Sequence, residues 1–202
     1  MTVTETDGLD QRLAFLDRRY SVKQFAAAPL PISVYRELQR VAIAPRTEVA
    51  TPLWIYAIPA HVDSPVSTIE VAGPGAEPWR KHIPLDGSTI VERWVKTCQR
   101  QEILRQAACL FVLGIDNRFV AASPYVGYRR AVVDAGLVTA ALYVTALELG
   151  IGTTTIGGFS DSAMVALLEA GGFLPIVAQA AGMPAEARDK VDSARLVTGS
   201  GL

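Results

Sequence analysis

The chain has 202 residues, of which 50% are hydrophobic, and its formal net charge is -1. This length suits one domain with a substantial core, and the near-neutral charge gives no reason to expect binding to nucleic acid or to an anionic membrane surface. No membrane span is expected because Asp134 and Glu148 interrupt the most apolar stretch, and the polar N-terminal segment does not resemble a secretory signal, so a cytoplasmic location is expected.

The first predicted element is a helix in "LDQRLAFLDRRY", where Leu13, Leu16 and Tyr20 have helical spacing. A second helix follows in "PLPISVYRELQRVAIAP", with Ser33 as its predicted N-cap and Pro45 at its exit. The next run, "LWIYAIPA", is rich in β-forming residues and predicts a buried strand.

Residues 62–89 are rich in Pro, Gly and Ser and predict a loop-rich insertion with one short strand near Thr68–Val71. A loop of this length is also a candidate lid over a site. After it, "IVERWVKTCQRQEILRQA" predicts one amphipathic helix or two, and "ACLFVLGID" predicts a second core strand.

The longest predicted helix comes next, and a short segment at Thr153–Ile156 follows it. A further helix is predicted from Asp161 to Glu169 with Ser160 as its N-cap, and "IVAQAAGMP" is expected to close the sheet. Helices mixed with short strands indicate the α+β class, with two or three central strands covered by helices.

The long helix is apolar or small on every side from Ala131 to Leu149. A helix of this kind must be buried all round, either as the central helix of a monomer or between two copies of the chain. The small residues along it would allow close approach of a second helix, which favours a homodimer. The glycines of "GIGTTTIGGF" offer backbone that can lie flat against a planar ligand, although a glycine pair alone also marks an ordinary turn.

Several of these motifs together resemble the flavin-dependent nitroreductase family. They are "RRYSVKQF" near the start, "DAG" followed by "LYVTALELGIGTTTIGGFSD", and "AAGMP" near the end. The resemblance covers residues 12–196 as a single FMN-binding domain, with 1–11 and 197–202 as flexible termini. It implies a nitroreductase-like fold, in which a central mixed or antiparallel sheet is flanked by helices and the domain is built as an intertwined homodimer.

Within the family, "PLWIY" and "GYRRAVVDAG" are most similar to the azoline dehydrogenases, which oxidise thiazoline and oxazoline rings in peptide natural products. The resemblance implies FMN bound at the homodimer interface. The residues that match the family's cofactor contacts are Arg19, Ser21, Lys23, Lys190 and Arg195 for the phosphate, and Ile156, Gly157 and Gly158 for the flavin ring. Without the other motifs, "RRYSVK" would be interpreted as a solvated basic helix end.

The sequence departs from the family pattern at three places. Val49 lies where nitroreductases customarily carry an Asn that contacts the flavin ring, and Arg46, Thr47 and Glu48 lie where the azoline dehydrogenases carry a Ser-Gly-Gly run. Ala122 and Ser123 occupy the positions of the Lys-Tyr pair of the azoline dehydrogenases, and Tyr20 replaces a usual basic or histidine residue.

The candidate catalytic residues are Tyr125 and Tyr128 as acid or base and Arg129 as an anchor for substrate or cofactor. The alternative is that the tyrosines pack at the interface and that Arg129 is an ordinary surface charge. Trp54, Trp79 and Trp94 are candidates to line a pocket, with core packing favoured for Trp54.

The function implied is an FMN-dependent dehydrogenase acting on a heterocyclic or modified-peptide substrate in natural-product biosynthesis, with a possible protein partner in a biosynthetic complex. The alternatives are a nicotinamide-dependent reductase of nitro compounds or quinones, and a catalytically silent flavin-binding or hetero-oligomer subunit. No metal site is expected, because His61 and His82 are too few ligands. Cys98 and Cys109 lack CxxC spacing and are expected to be free thiols.

Overall fold

The structure of the protein is a computed structural model that describes residues 22–44, 53–63, 66–74, 78–86, 89–122 and 124–185. The helix predicted in residues 9–20 and the termini predicted to be flexible lie outside the described residues. The residues singled out from the sequence that also lie outside them include the predicted cofactor contacts Arg19, Ser21, Lys190 and Arg195 and the departures from the family pattern at Tyr20, Arg46, Thr47, Glu48, Val49 and Ser123.

The described strands form one large antiparallel sheet and a separate short pair. The large sheet contains β2 (Leu53–Pro59), β4 (Thr68–Ala72), β5 (Arg80–Pro84), β6 (Cys109–Asp116), β7 (Gly152–Ile156) and β8 (Phe173–Gly182). Its order is β5-β4-β2-β6-β8-β7, and every neighbouring pair is antiparallel. The short pair joins β1 (Leu30–Pro31) and β3 (Val62–Asp63) in parallel. The predicted α+β class is confirmed, but six strands replace the predicted two or three.

Helices cover both faces of the large sheet. They are α1 (Ile32–Ile43), α2 (Ile90–Thr97), α3 (Asn117–Ala122), α4 (Pro124–Glu148) and α5 (Asp161–Leu168), with a 3-10 helix at Glu102–Gln106. One hydrophobic cluster includes residues of α2 and α5, and a second cluster on the other face includes residues of α1 and α4. The central strand β6 is therefore buried along its length except at Asp116, as expected for a strand covered on both faces.

Helix α4 packs on the sheet through one stripe of its surface. Ala131, Ala135, Val138 and Leu142 are almost fully buried, and they repeat at intervals of three or four residues, which places them on one side of a helix. The opposite side is apolar but exposed within one chain, with Val133 62% and Leu137 56% accessible. The prediction that this helix is buried all round is thus not met by a single chain.

The stretch Val126–Glu148 of α4 is long and apolar enough to cross a membrane by length and composition alone. Its buried stripe instead packs against the sheet in the second hydrophobic cluster. We therefore interpret α4 as a core helix of a globular fold.

Two details of the sequence prediction are corrected by the structure. Residues 62–89 contain two strands of the large sheet, of which β4 was predicted and β5 was not. Ser33 is not an N-cap, because α1 begins at Ile32 and its cap is Pro31, whose φ of -55° already suits a helix start. The other predicted cap is confirmed, since the Ser160 side chain accepts a hydrogen bond from the Ala163 N–H.

A buried polar cluster fixes α1 against β4. The carboxylate of Glu70 accepts hydrogen bonds from Tyr35 Oη at 3.1 Å, Arg36 at 2.8 Å and Gln39 Nε2 at 2.7 Å. Burial raises the pKa of Tyr35, which keeps its hydroxyl protonated as a donor. Because three side chains donate to it, this buried carboxylate is compensated, and removing the Tyr35 or the Gln39 donor would cost about 1–3 kcal/mol.

Candidate functional site

The segment after β7 presents bare backbone at the protein surface. Gly157 is exposed, and a Cβ atom placed on it would have no other atom within 4 Å. Within the described residues, no backbone or side-chain acceptor takes the N–H of Gly157 or of Gly158. Two free N–H donors beside an open surface can receive a flat polar ligand.

A turn after α2 forms the wall beside these glycines. Gln101 Nε2 donates a hydrogen bond to the carbonyl oxygen of Gly158 at 3.3 Å, and the Ser160 N–H donates to the Thr97 carbonyl at 2.9 Å. The side chain of Gln99 lies close by, with its Oε1 3.2 Å from the position of a Cβ on Gly158. The glycine segment is therefore held in place by the turn.

This turn has a strained backbone. Gln99 and Arg100 have φ values of 54° and 59°, in the left-handed region that side chains other than glycine rarely adopt. Such strain costs about 1–3 kcal/mol per residue and persists only where surrounding contacts maintain it, often at functional sites. Gln99 and Gln101 were not predicted as site residues, because their only signal in the sequence is a polar run that interrupts the periodicity of an amphipathic helix.

Lys23 lies at the other end of β7. The N–H of Val22 donates to the Thr153 carbonyl at 2.9 Å, which brings the segment with Lys23 alongside the strand. This close approach requires glycine at position 152, where a Cβ would meet Val22 Cγ2 at 2.3 Å. Lys23 is exposed, and no carboxylate of the described residues pairs with it, so its ammonium group is free to bind an anion.

The start and the end of the described chain meet beside Lys23. The Ala26 N–H donates to the Met183 carbonyl at 2.8 Å, and the Ala185 N–H donates to the Gln24 carbonyl at 3.1 Å. The cationic end and the glycine end of the site are separated by the length of β7 from Thr153 to Gly157. At about 3.3 Å per residue this distance is roughly 13 Å, which suits an elongated ligand with an anionic end and a flat end.

The predicted ring-contacting residues differ in what they can offer. The side chain of Ile156 is 1% exposed and packs in the core, so only its backbone can take part in a site. Gly157 and Gly158 are the residues of this group that reach the surface.

The predicted catalytic residues lie on a different surface of the single chain. Tyr128 and Arg129 are exposed near the start of α4, and Arg129 lines a shallow depression with Val126, Arg130 and Val133. No hydrogen bond, ion pair or cavity within the described parts of the chain joins them to Gly157 or Gly158. Of Tyr125, only the backbone belongs to the described structure, in α4.

The three tryptophans have three different environments. Trp94 is fully buried in the core, and the indole N–H of Trp79 donates to the Gln39 carbonyl at 3.0 Å. Trp54, for which core packing was favoured, is partly exposed and lines a cleft.

Cys98 and Cys109 are free and buried, and burial raises the pKa of their thiols to about 11 and about 12, so neither is a reactive thiolate at neutral pH.

Comparison with protein families agrees with the geometry around β7. The sequence model of the Nitroreductase family matches residues 16–185. The chain belongs to the nitroreductase family. The match includes the segment with Lys23, the whole of α4 and the glycines after β7, and it confirms the family that the sequence motifs indicated. Nitroreductases are a family of oxidoreductases, and flavin use is supported by this membership.

Solved structures show the same fold at low sequence identity. A candidate nitroreductase from Anabaena variabilis superposes with a TM-score of 0.71 at 21% identity over 82% of this chain, which spans only 36% of that protein's length. The E. coli microcin synthetase McbBCD complex with truncated pro-microcin bound superposes with a TM-score of 0.66 at 15% identity, and the match covers 82% of this chain and 68% of the other chain. NADPH:FMN oxidoreductase from Vibrio harveyi, complexed with NAD+, superposes with a TM-score of 0.62 at 16% identity. The match covers 94% of this chain and 77% of the other chain. Comparison with curated proteins finds no match.

These similarities confirm the nitroreductase-like fold. At such identities they do not assign a substrate, and the azoline dehydrogenase subgroup stays a prediction. The roles predicted for Tyr125, Tyr128 and Arg129 also stay predictions.

Proposed function

We propose that this nitroreductase-family chain is an FMN-dependent oxidoreductase that acts as a homodimer. The observation that carries the proposal is a set of groups without partners among the described residues: the N–H groups on the bare backbone of Gly157 and Gly158, and the ammonium of Lys23 at the other end of β7. FMN is an elongated molecule with a phosphate at one end and a flat ring at the other, and the residues present fit both ends.

The chain's own residues would hold the cofactor by their ordinary chemistry. Lys23 neutralises phosphate charge, and the predicted phosphate contacts Arg19, Ser21, Lys190 and Arg195 would share this task. The N–H groups of Gly157 and Gly158 would donate to polar atoms of the ring, and Gln99 and Gln101 would lie beside it. Bound FMN supplies two-electron redox chemistry, while the protein orients substrate and excludes water.

A second copy of the chain would cover the exposed apolar face of α4. Val126 is 73% accessible, and Val133 and Leu137 lie further along the same side. Gly136, between them, has no atom within 4 Å of a Cβ position, so a partner backbone can approach closely there. A flat apolar stripe of this length is typical of an interface between subunits.

Dimerisation would also explain why the predicted catalytic residues lie away from the glycines in one chain. In a symmetric dimer, Tyr128 and Arg129 of one copy can complete the site of the other. Tyr128 or Tyr125 would then move a proton, and Arg129 would anchor an anionic group of substrate or cofactor.

For the substrate, we favour a heterocyclic or modified-peptide compound that is dehydrogenated in natural-product biosynthesis, within a cytoplasmic enzyme that can bind a protein partner. The motifs "PLWIY" and "GYRRAVVDAG" support this choice, and one fold relative is a synthetase complex with a peptide precursor bound.

One observation favours the reductase alternative instead. Ala122, exposed at the end of α3, stands where the azoline dehydrogenases carry the first residue of their Lys-Tyr pair, and its methyl group can move no proton. A nicotinamide-dependent reductase has less need of a side-chain base at that place.

The test begins with the purified protein, its visible spectrum with and without added FMN, and its mass in solution. A dimer that retains FMN supports the proposal, and a monomer that takes up no FMN overturns it. Bleaching of the flavin by an azoline peptide would identify the dehydrogenase, and rapid bleaching by NADH or NADPH would identify the reductase. A flavin that neither compound reduces would indicate the catalytically silent subunit.

A further inference from the structure

A cleft on the other side of α5 is separate from the glycine site. It encloses about 290 Å³ between β2, β5 and the turn that follows α5, and its walls include Trp54, Tyr56, Arg80, His82 and Phe173. The glycines precede the first residue of α5, whereas the cleft lies at its last residue. An eight-residue helix is about 12 Å long, so the two sites are apart.

Arg80 is a free cation in this cleft. Its guanidinium carbon lies 5.6 Å from the ring centroid of Trp54, so the ring covers one face of the charged group. No carboxylate within the described residues forms an ion pair with Arg80. A guanidinium stacked on a ring keeps its in-plane N–H edge free, and that edge matches the two oxygens of a carboxylate.

Tyr56 adds an unpaired hydroxyl to the same cleft. The residue is only 6% exposed, and its ring packs edge-on against His82 at 5.3 Å and Phe173 at 5.0 Å between centroids. Its hydroxyl has no hydrogen-bond partner within the described residues. Burial raises the pKa of Tyr56, so its hydroxyl stays protonated and can donate, and the positive charge of Arg80 in the same cleft opposes that rise.

The remaining charges of the cleft leave Arg80 as its anion-binding group. Arg118 is already paired with Asp116, donating from Nε at 3.1 Å and from a terminal nitrogen at 2.6 Å. The imidazole of His82 is engaged through Nε2, which donates to the Leu168 carbonyl at 2.8 Å. Glu169 is exposed at the rim, so the cleft as a whole has little net charge and its preference for a carboxylate is local to Arg80 and Tyr56.

We infer that this cleft is a binding site for a small aromatic carboxylate, distinct from the flavin site. Arg80 and the Tyr56 hydroxyl receive the carboxylate, and Trp54 and Phe173 contact the ring. The residues combine a cation that has no carboxylate partner among the described residues with largely buried aromatic surface, a composition typical of a specific small-molecule site.

The test is calorimetric titration of the whole protein with benzoate, with benzamide and acetate as matched probes. Benzoate should bind saturably and more tightly than either, because only benzoate has both the ring and the charge. Arg80→Met should weaken benzoate binding roughly tenfold or more, since a hydrogen-bonded ion pair is lost, and Tyr56→Phe should weaken it several-fold. Arg93→Met on α2, outside the cleft, is the control and should leave binding unchanged.

Three results would overturn the inference: no saturable benzoate binding, benzamide binding as tight as benzoate, or an Arg80→Met variant that binds benzoate normally. Repeating the titration with saturating FMN separates the two sites. Benzoate affinity should not change, and competition between benzoate and FMN would show that the cleft belongs to the flavin site. Unfolding curves of each variant establish that a loss of binding is not a loss of fold.

Discussion

Gln101 joins two distant parts of the chain through one hydrogen bond, from its side-chain amide to the carbonyl oxygen of Gly158 at 3.3 Å. The bond fixes the peptide that leaves β7 relative to the turn after α2. The position of Gly158 is therefore set by this hydrogen bond as well as by β7. The strained residues Gln99 and Arg100 directly precede Gln101 in the chain.

Replacing Gln101 by Leu should disturb FMN binding more than stability. Leu keeps the size of the side chain but cannot donate to Gly158, so the glycine backbone loses its support. We expect FMN affinity to fall roughly threefold to tenfold with little change in the melting temperature. Fluorescence titration of FMN and a thermal melt measure both. Gln106→Leu, at the exposed end of the 3-10 helix, is the control, and equal FMN affinities in the two variants would contradict a positioning role.

Gly157→Val tests whether the open backbone is the ring-binding surface. A Cβ at this position meets nothing in the protein, so the fold should tolerate the change, but the branched side chain would occupy the space of a flat ligand. We expect FMN retention to fall at least roughly tenfold. Gly171→Val, at a glycine whose Cβ also meets no atom, is the matched control. If the Gly157 variant copurifies with as much FMN as the control, the ring lies elsewhere.

Local patterns were sufficient to predict the elements near the site. The apolar helix, the glycines after β7 and the Ser160 cap all follow from periodicity and from one preferred residue type at one position. The order of "RRYSVKQF" and "GIGTTTIGGF" indicated the family. In the described part of the first motif, Val22 is hydrogen-bonded to Thr153 of β7, the strand that the second motif contains.

The features that were missed depend on contacts between distant residues. Strand β5, "RKHIP", is mostly exposed and has a terminal proline, so only its pairing with β4 makes it a strand. The left-handed turn at Gln99 and Arg100 contains no glycine or asparagine, the residues from which such a turn is usually predicted. Trp54 lines a cleft because the turn after α5 lies beside it. The two segments are far apart in the sequence, so no local pattern could predict that they are neighbours.

Lys23→Ala should weaken FMN binding and leave riboflavin binding unchanged. Riboflavin has the same ring without the phosphate, so it reports on every part of the site except the cationic end. Loss of one charge-assisted contact should reduce FMN affinity roughly tenfold at low salt and make that affinity less sensitive to added salt. Lys81→Ala, on the exposed strand β5, is the control for a general change in charge. An equal loss for both flavins would mean that Lys23 supports the fold and does not contact the phosphate.

Leu137→Glu should convert the proposed dimer to a monomer. Leu137 is 56% exposed on the apolar side of α4, and a symmetric interface would bring two new carboxylates into an apolar environment. Light scattering after gel filtration should show half the mass of the unaltered protein, and FMN should be lost with it if both subunits form the site. Lys96→Glu, on α2 at the other face of the sheet, should stay dimeric. A dimer that survives Leu137→Glu would place the interface elsewhere.

Stability should fall with rising pH because of the buried thiol of Cys109. Burial raises its folded pKa to about 12, whereas an unfolded cysteine ionises near about 8.5. Its stabilising contribution is therefore complete below about pH 8.5 and is lost as the pH rises toward 12, by about 1.4 kcal/mol per pH unit. Urea unfolding between pH 8.5 and 10, with a reducing agent present, measures the combined slope of Cys109 and of Cys98, whose folded pKa burial raises to about 11. The difference in slope between the unaltered protein and Cys109→Ala gives the contribution of Cys109. Cys109→Ala should be less stable at pH 7.5, because it loses a buried atom, yet show a flatter slope, and identical slopes in the two proteins would contradict the assignment.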